Sequence, residues 1–336
     1  PASCHSTRMP RFVLLVVCSL PLSGCYYLQA AAGQWELTRK REPIGEVLAR
    51  EETSPELAAR LRLVAEARQF AVDELGLPDN DTYRTYADLE RDFVMWSVFA
   101  APEFSIEPRT WCFPIAGCVS YRGYFSKESA EREAAGLAKK GYDVAVSGVV
   151  AYSTLGKLKD PVLSTMMNWD DVRLIAVLFH ELAHQVLYVK GDSGFNESFA
   201  TAVEEFGVQR WLASRGMDAA FSDYMARRAV RGALSALVAE ARADLDAMYA
   251  LAIDDAEKRA RKQNRLAALQ ADIVSSLENA GRDAGGWVDG ELNNARLVPM
   301  VLYEGRLDEF RALFETCEQR LDCFYERARE LAGREL

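Results

Sequence analysis

Apolar side chains recur at three- and four-residue steps through most of this chain, interrupted by one stretch with a different rhythm. From Ile44 to Leu75 the positions Ile44, Val47, Leu48, Leu57, Leu61, Val64 and Phe70 fall between charged residues, which predicts one or two amphipathic helices. Residues 83–126 are instead rich in aromatic and β-branched groups and predict short strands and loops. A helix follows over Ser129–Lys140 and Gly141 ends it, and Asp143–Tyr152 alternates as a strand with one open face or edge would. Asn168 or Asp170 can cap a further helix running to about Lys190, with Leu174, Ile175, Val177, Leu178 and Leu182 as its apolar stripe. After the break at Gly191–Gly194, another helix is expected from near Asn196 to Arg215. The pattern from Ala219 to Ala280 is almost wholly helical, and helices resume from Glu291 to Leu331. The expected fold class is therefore α+β, mainly α-helical, with a small sheet in the first half.

Composition narrows the function. The 336 residues carry 50 acidic and 40 basic side chains, a net charge of −10, which disfavours a polyanionic partner and argues against nucleic-acid binding. The basic cluster Lys258, Arg259, Arg261, Lys262 and Arg265 reads as a solvated helix face paired with Asp254, Asp255 and Glu257.

The first 25 residues read as an address. Arg8 and Arg11 precede an apolar run, Phe12–Leu20, that is too short to span a bilayer, and this is the secretory pattern. Leu22-Ser23-Gly24-Cys25 resembles the lipobox of bacterial lipoproteins. The resemblance implies cleavage before Cys25, a signal peptide with upstream residues over 1–24, a lipid anchor at Cys25, and one domain over 25–336. Tyr26 in place of Asp implies the periplasmic face of the outer membrane. Four cysteines then remain, an even number suited to two disulfides in an oxidising compartment. Of three possible connectivities, local pairing of Cys112 with Cys118 and of Cys317 with Cys323 is preferred.

The chemistry lies in His180-Glu181-Leu182-Ala183-His184. Residues four apart on a helix share a face, so both imidazoles can reach one zinc ion while Glu181 projects beside it. Zinc in a hydrolase usually has three protein ligands plus water. The mature chain has no third histidine, so a carboxylate is expected ahead of a cysteine. Glu197, in Asn196-Glu197-Ser198-Phe199-Ala200, is the first choice, with Glu204 in reserve as a ligand or as support for one.

His-Glu-Leu-Ala-His followed by Asn-Glu-Ser-Phe-Ala is similar to the gluzincin metallopeptidases. More closely, the chain resembles the bacterial Putative aminopeptidase family of exported lipoproteins, through Cys112–Cys118, Tyr121–Phe125, Ala151–Gly156 and Asn293-Asn294-Ala295. The resemblance implies a zincin-like metallopeptidase with a small sheet beside the zinc helix. It implies zinc ligands at His180, His184 and Glu197, a catalytic Glu181 and a peptide substrate. Only twelve residues separate His184 from Glu197, fewer than in thermolysin or the alanyl-aminopeptidase type, so their substrate-site geometry does not transfer.

The expected reaction is peptide hydrolysis by zinc-activated water with Glu181 as general base and acid. Tyr303 is the first choice to stabilise the oxyanion, with Tyr121 and Arg122 as alternatives. The strand Val144–Tyr152 could receive an extended peptide along a free edge, and Glu103 or Glu205 could bind a substrate amine. An endopeptidase of the same chemistry and a non-catalytic envelope scaffold are the competing readings.

Overall fold

In the computed structural model, the described residues are 21–113, 117–151, 153–154, 158–285, 290–300 and 305–333. They form a mainly helical α+β fold, with helices α1 Pro21–Arg39, α2 Ile44–Leu48, α3 Pro55–Asp73, α4 Lys127–Ala138, α5 Asp171–Ala183, α6 Ser193–Ala213, α7 Asp218–Tyr249, α8 Asp255–Asn279, α9 Asn294–Leu297, α10 Leu307–Thr316 and α11 Leu321–Gly333. The strands are β1 Arg41–Pro43, β2 Thr85–Ala87, β3 Met95–Pro102, β4 Trp111–Phe113, β5 Gly117–Val119, β6 Arg122–Tyr124, β7 Tyr142–Val149 and β8 Val162–Leu163. No helix among them is long and apolar enough to cross a membrane. The expected signal segment up to residue 20 lies outside the described residues.

The strands make three small sheets, ordered β1-β2-β8, β6-β3-β7 and β4-β5. The second is antiparallel throughout, with Ser97 opposite both Gly123 and Ser147. Cys112 and Cys118 pair across β4–β5 and form a disulfide, and Cys317–Cys323 joins the end of α10 to α11. Both pairings are the local ones expected.

Local chemistry sets the helix ends. Asp170 caps α5 by accepting from the Arg173 amide at 2.9 Å, and the helix ends at Ala183, with His184 as its C-cap. The sequence pattern carried it on to Lys190. Val186, Leu187 and Val189 pack against the core from the connecting segment instead. Helix α6 starts three residues earlier than the pattern implied, because Asp192 accepts from the Phe195 amide at 2.8 Å and caps it. Lys262 is also not part of a solvated face: its ammonium turns inward to Asp143 at 2.6 Å and to the Glu103 carbonyl at 2.9 Å. Arg259 pairs with Glu103 and Arg265 with Asp244.

Helices α5 and α6 pack closely, and a glycine permits it. A Cβ on Gly207 would sit 2.7 Å from the Phe179 ring and 2.8 Å from Leu75. Phe179 is fully buried, with Phe70 and Trp211 at ring distance. Alanine would favour the helix by about 1 kcal/mol over glycine, but forcing extra volume into such a contact costs about 1–3 kcal/mol. Gly207→Ala is therefore expected to show a net loss of unfolding free energy in urea denaturation. A stabilised variant would contradict this packing.

Candidate active site

The close approach of α5 and α6 brings together the side chains singled out in the sequence. His180 Nε2 and His184 Nε2 face each other at 3.2 Å. Glu197 reaches both, Oε2 at 3.3 Å from His180 Nε2 and Oε1 at 3.7 Å from His184 Nε2. Ligands about 2.0–2.1 Å from a tetrahedral ion stand about 3.3 Å apart, and the Nε2–Nε2 and His180 Nε2–Glu197 Oε2 separations match that edge. These three residues form a group that could hold a metal ion. Asn196 contributes indirectly: its carboxamide donates to the Val189 carbonyl and accepts from the Val189 amide, each at 2.7 Å. This clip ties the α5–α6 connection to the first turn of α6 and fixes the approach of Glu197.

Glu204 is not a fourth member of the cluster. It lies on the far side of His180 and accepts from Nδ1 at 2.9 Å, which leaves Nε2 turned toward His184 and Glu197. Its other oxygen accepts from the Tyr224 hydroxyl at 2.7 Å and lies 3.5 Å from Arg228. By contrast, the buried His184 Nδ1 has no hydrogen-bond partner among the described residues.

Charge within the cluster is strongly redistributed. Burial pulls the His180 pKa down, but the hydrogen bonds to Glu197 and Glu204 outweigh it and raise the value to about 10. Burial and the neighbouring His180 charge hold His184 down at about 4. Glu197 is pushed up by burial, yet the bond from His180 and the charges of both histidines leave it below its ordinary value. The cluster without metal thus concentrates one positive charge on His180, where a cation would compete for the same electrons.

Glu181 stands beside the cluster in a different setting. Burial raises its pKa, against the His180 charge and a hydrogen bond with Ser153. Behind it lies the buried Tyr83, whose backbone is left-handed at φ 61° and whose amide donates to the Asp160 carbonyl at 2.7 Å. Asp160 in turn accepts from Ser153 Oγ at 3.1 Å and from the amide and hydroxyl of Thr154 at 2.8 and 2.7 Å. Sequence reasoning missed Tyr83 and Asp160 because they come from distant segments of no recognisable spacing.

All four residues open into one cavity of ≈ 550 Å³. Sheet residues Met95, Ser97 and Gly123 line it, together with Tyr121 just before β6 and Tyr26, Ala30 and Gln34 of α1. Two of the expected oxyanion donors, although adjacent in sequence, have different surroundings. Tyr121 lines the cavity, whereas Arg122 stands over the Tyr26 ring at 4.1 Å and pairs with Glu133. Tyr303 lies outside the described residues. Glu103 and Glu205, the candidate amine binders, do not line the cavity. Glu103 pairs with Arg259, and Glu205 with Arg228 and Arg311.

The two outer strands of the β6-β3-β7 sheet differ. On β6, the Gln29 carboxamide takes the place of a neighbouring peptide group, donating to the Gly123 carbonyl at 3.2 Å and accepting from the Phe125 amide at 3.1 Å. On β7, Asn293 donates to the Val144 carbonyl at 3.0 Å, and no further strand pairs along it among the described residues.

Two predictions follow from this arrangement. Glu204→Gln should weaken metal binding by about 10–100-fold, measured by competition with a chromogenic chelator. In chelator-treated protein, a His180 pKa raised from 6.5 to about 10 contributes stability that is complete below about pH 6.5 and lost as the pH rises toward 10. His184, shifted the other way, acts only below that window. Denaturation midpoints between pH 6.5 and 10 should therefore fall without metal and stay level with it.

No curated protein and no solved structure gives a significant match to this chain. A family model does match, over residues 25–335, a span that contains α5, α6 and every residue of the cluster. The chain belongs to the family described as Putative aminopeptidase.

Proposed function

We propose that this protein is a zinc-dependent peptidase of the zincin type, acting as an aminopeptidase on peptides in the cell envelope. One observation carries the reading: two imidazoles and a carboxylate gathered within 4.8 Å of one another, with a buried Glu181 opening into the same cavity. Two nitrogens and one oxygen suit zinc better than a harder cation, which would favour an all-oxygen shell. Family membership supports a peptide substrate.

His180, His184 and Glu197 would hold the ion, and Glu204 would keep His180 in the tautomer that presents Nε2. Zinc bound there supplies Lewis acidity, polarising a carbonyl and making water a stronger acid near neutral pH. Glu181 takes the proton from the attacking water and delivers it to the leaving amine. Its raised pKa suits a group that must hold a proton between those two steps. The hydrogen bond with Ser153, which lines the same cavity, orients that carboxylate. Tyr121, on the cavity wall, and Tyr303 are the donors proposed for the oxyanion. An extended substrate would lie along the outer edge of β7, since Gln29 already satisfies β6.

The proposed site of action is the periplasmic face of the outer membrane, through a lipid on Cys25. Helix α1 continues from that cysteine, and its Tyr26 is already part of the cavity wall, so the cavity would work close to the anchor.

The test is hydrolysis of matched peptides with free and blocked amino termini, by the chain from Tyr26 and by its Glu181→Gln variant. Wild type should bind one zinc and cleave the free peptides, while the variant keeps zinc and loses turnover by at least a hundredfold. Cleavage of blocked peptides would make it an endopeptidase. A zinc-loaded wild type that cleaves neither would leave a scaffold.

A further inference from the structure

Behind the metal cluster, on the other side of Glu204, a second cleft of ≈ 300 Å³ opens between α5, α6, α7 and the end of α8. Five guanidinium groups line it, those of Arg173, Arg227, Arg228, Arg231 and Arg282, against only two carboxylates, Asp170 and Glu204. In a chain of net charge −10 this is a marked local inversion, and a concave surface focuses such a field.

The protein's own carboxylates do not neutralise the cleft. Arg228 forms its floor, with a side chain only 9% exposed, and is committed to Glu205 at 2.7 Å and Glu204 at 3.5 Å. Arg227 lies 3.7 Å from Asp170, which also caps α5. Arg173, Arg231 and Arg282 have no carboxylate within ion-pair distance among the described residues. The Arg173 guanidinium lies over the Trp169 ring at 4.4 Å. Burial, then the charge of nearby Arg231, hold its pKa below the usual arginine value, against a smaller opposing effect of Asp170. Two guanidinium groups that repel each other in one cleft, offset only in part by Asp170, make an arrangement that a bound anion would relieve.

We propose that this cleft is a binding site for a phosphate-bearing ligand, separate from the peptidase cavity. Guanidinium forks match the oxygens of phosphate in paired hydrogen bonds. Three such forks arrive from three different elements, α5, α7 and the segment after α8. That geometry suits the three terminal oxygens of a phosphoryl group better than the two of a carboxylate. Val230, Leu234 and Leu277 form an apolar wall beside the arginines, so the ligand carries an apolar portion next to its phosphate. A phospholipid headgroup and a soluble phosphate ester share this chemistry.

The test titrates inorganic pyrophosphate into the metal-loaded chain by calorimetry. One saturable site per chain is expected, weakened at least tenfold by Arg173→Glu and by Arg231→Glu. Arg327→Glu, at an exposed arginine paired with Glu330, should leave it unchanged, and thermal melting checks that each variant is folded. Vesicles of phosphatidylcholine with and without phosphatidic acid then separate the sources. Phosphatidic acid vesicles that bind wild type, lose the Arg231→Glu variant and displace pyrophosphate identify a lipid headgroup; vesicles that do neither identify a soluble ester. Lack of saturable binding, equal binding by both cleft variants and wild type, or an equal loss in Arg327→Glu would overturn the proposal.

Discussion

The candidate site depends on how closely α5 approaches α6. His180, Glu181 and His184 lie on the first helix, Glu197 and Glu204 on the second. Gly207 allows the Phe179 ring to lie against the α6 backbone, and at that distance one helix supplies two carboxylates to opposite nitrogens of the same imidazole. Glu197 meets His180 on its Nε2 side and Glu204 on its Nδ1 side. A wider spacing would break both contacts together, so core packing and site geometry are one constraint.

Buried charge is the second theme. Glu204 and Glu205 are adjacent, and both are buried, a costly placement unless every oxygen is engaged. Glu204 is shared among His180, Tyr224 and Arg228, and Glu205 between Arg228 and Arg311. Arg228 thus ties the two carboxylates together beneath the imidazole. The same side chain lines the arginine-rich cleft, so the polar network that steadies the His180–His184–Glu197 group also forms part of the surface of a second depression.

The sequence made the cluster legible because its parts are close along the chain: a four-residue histidine spacing on one helix, and a glutamate one short connection later. The mainly helical fold, the presence of short strands in the first half and the local cysteine pairing were legible as well. What stayed hidden is what depends on long-range contact. The position of α1 along β6, through Gln29, and the turning of Lys262 toward Asp143 join segments about a hundred residues apart, and no periodicity encodes them. The end of α5 was overestimated because the first helix-breaking residue in the sequence is Gly191, whereas the helix stops at Ala183. Tyr83 is hidden for a further reason: its left-handed backbone is unusual for a large aromatic residue and leaves no trace in composition.

The central claim is that His180, His184 and Glu197 together hold one zinc ion. The most direct test is anomalous diffraction at the zinc edge from crystals of the chain purified without chelator. The account predicts a single peak per chain, about 2.0–2.1 Å from both Nε2 atoms and a Glu197 oxygen, with Glu204 still on His180 Nδ1. A peak at another group of side chains, or a zinc bound by the histidines with Glu197 turned away, would contradict it.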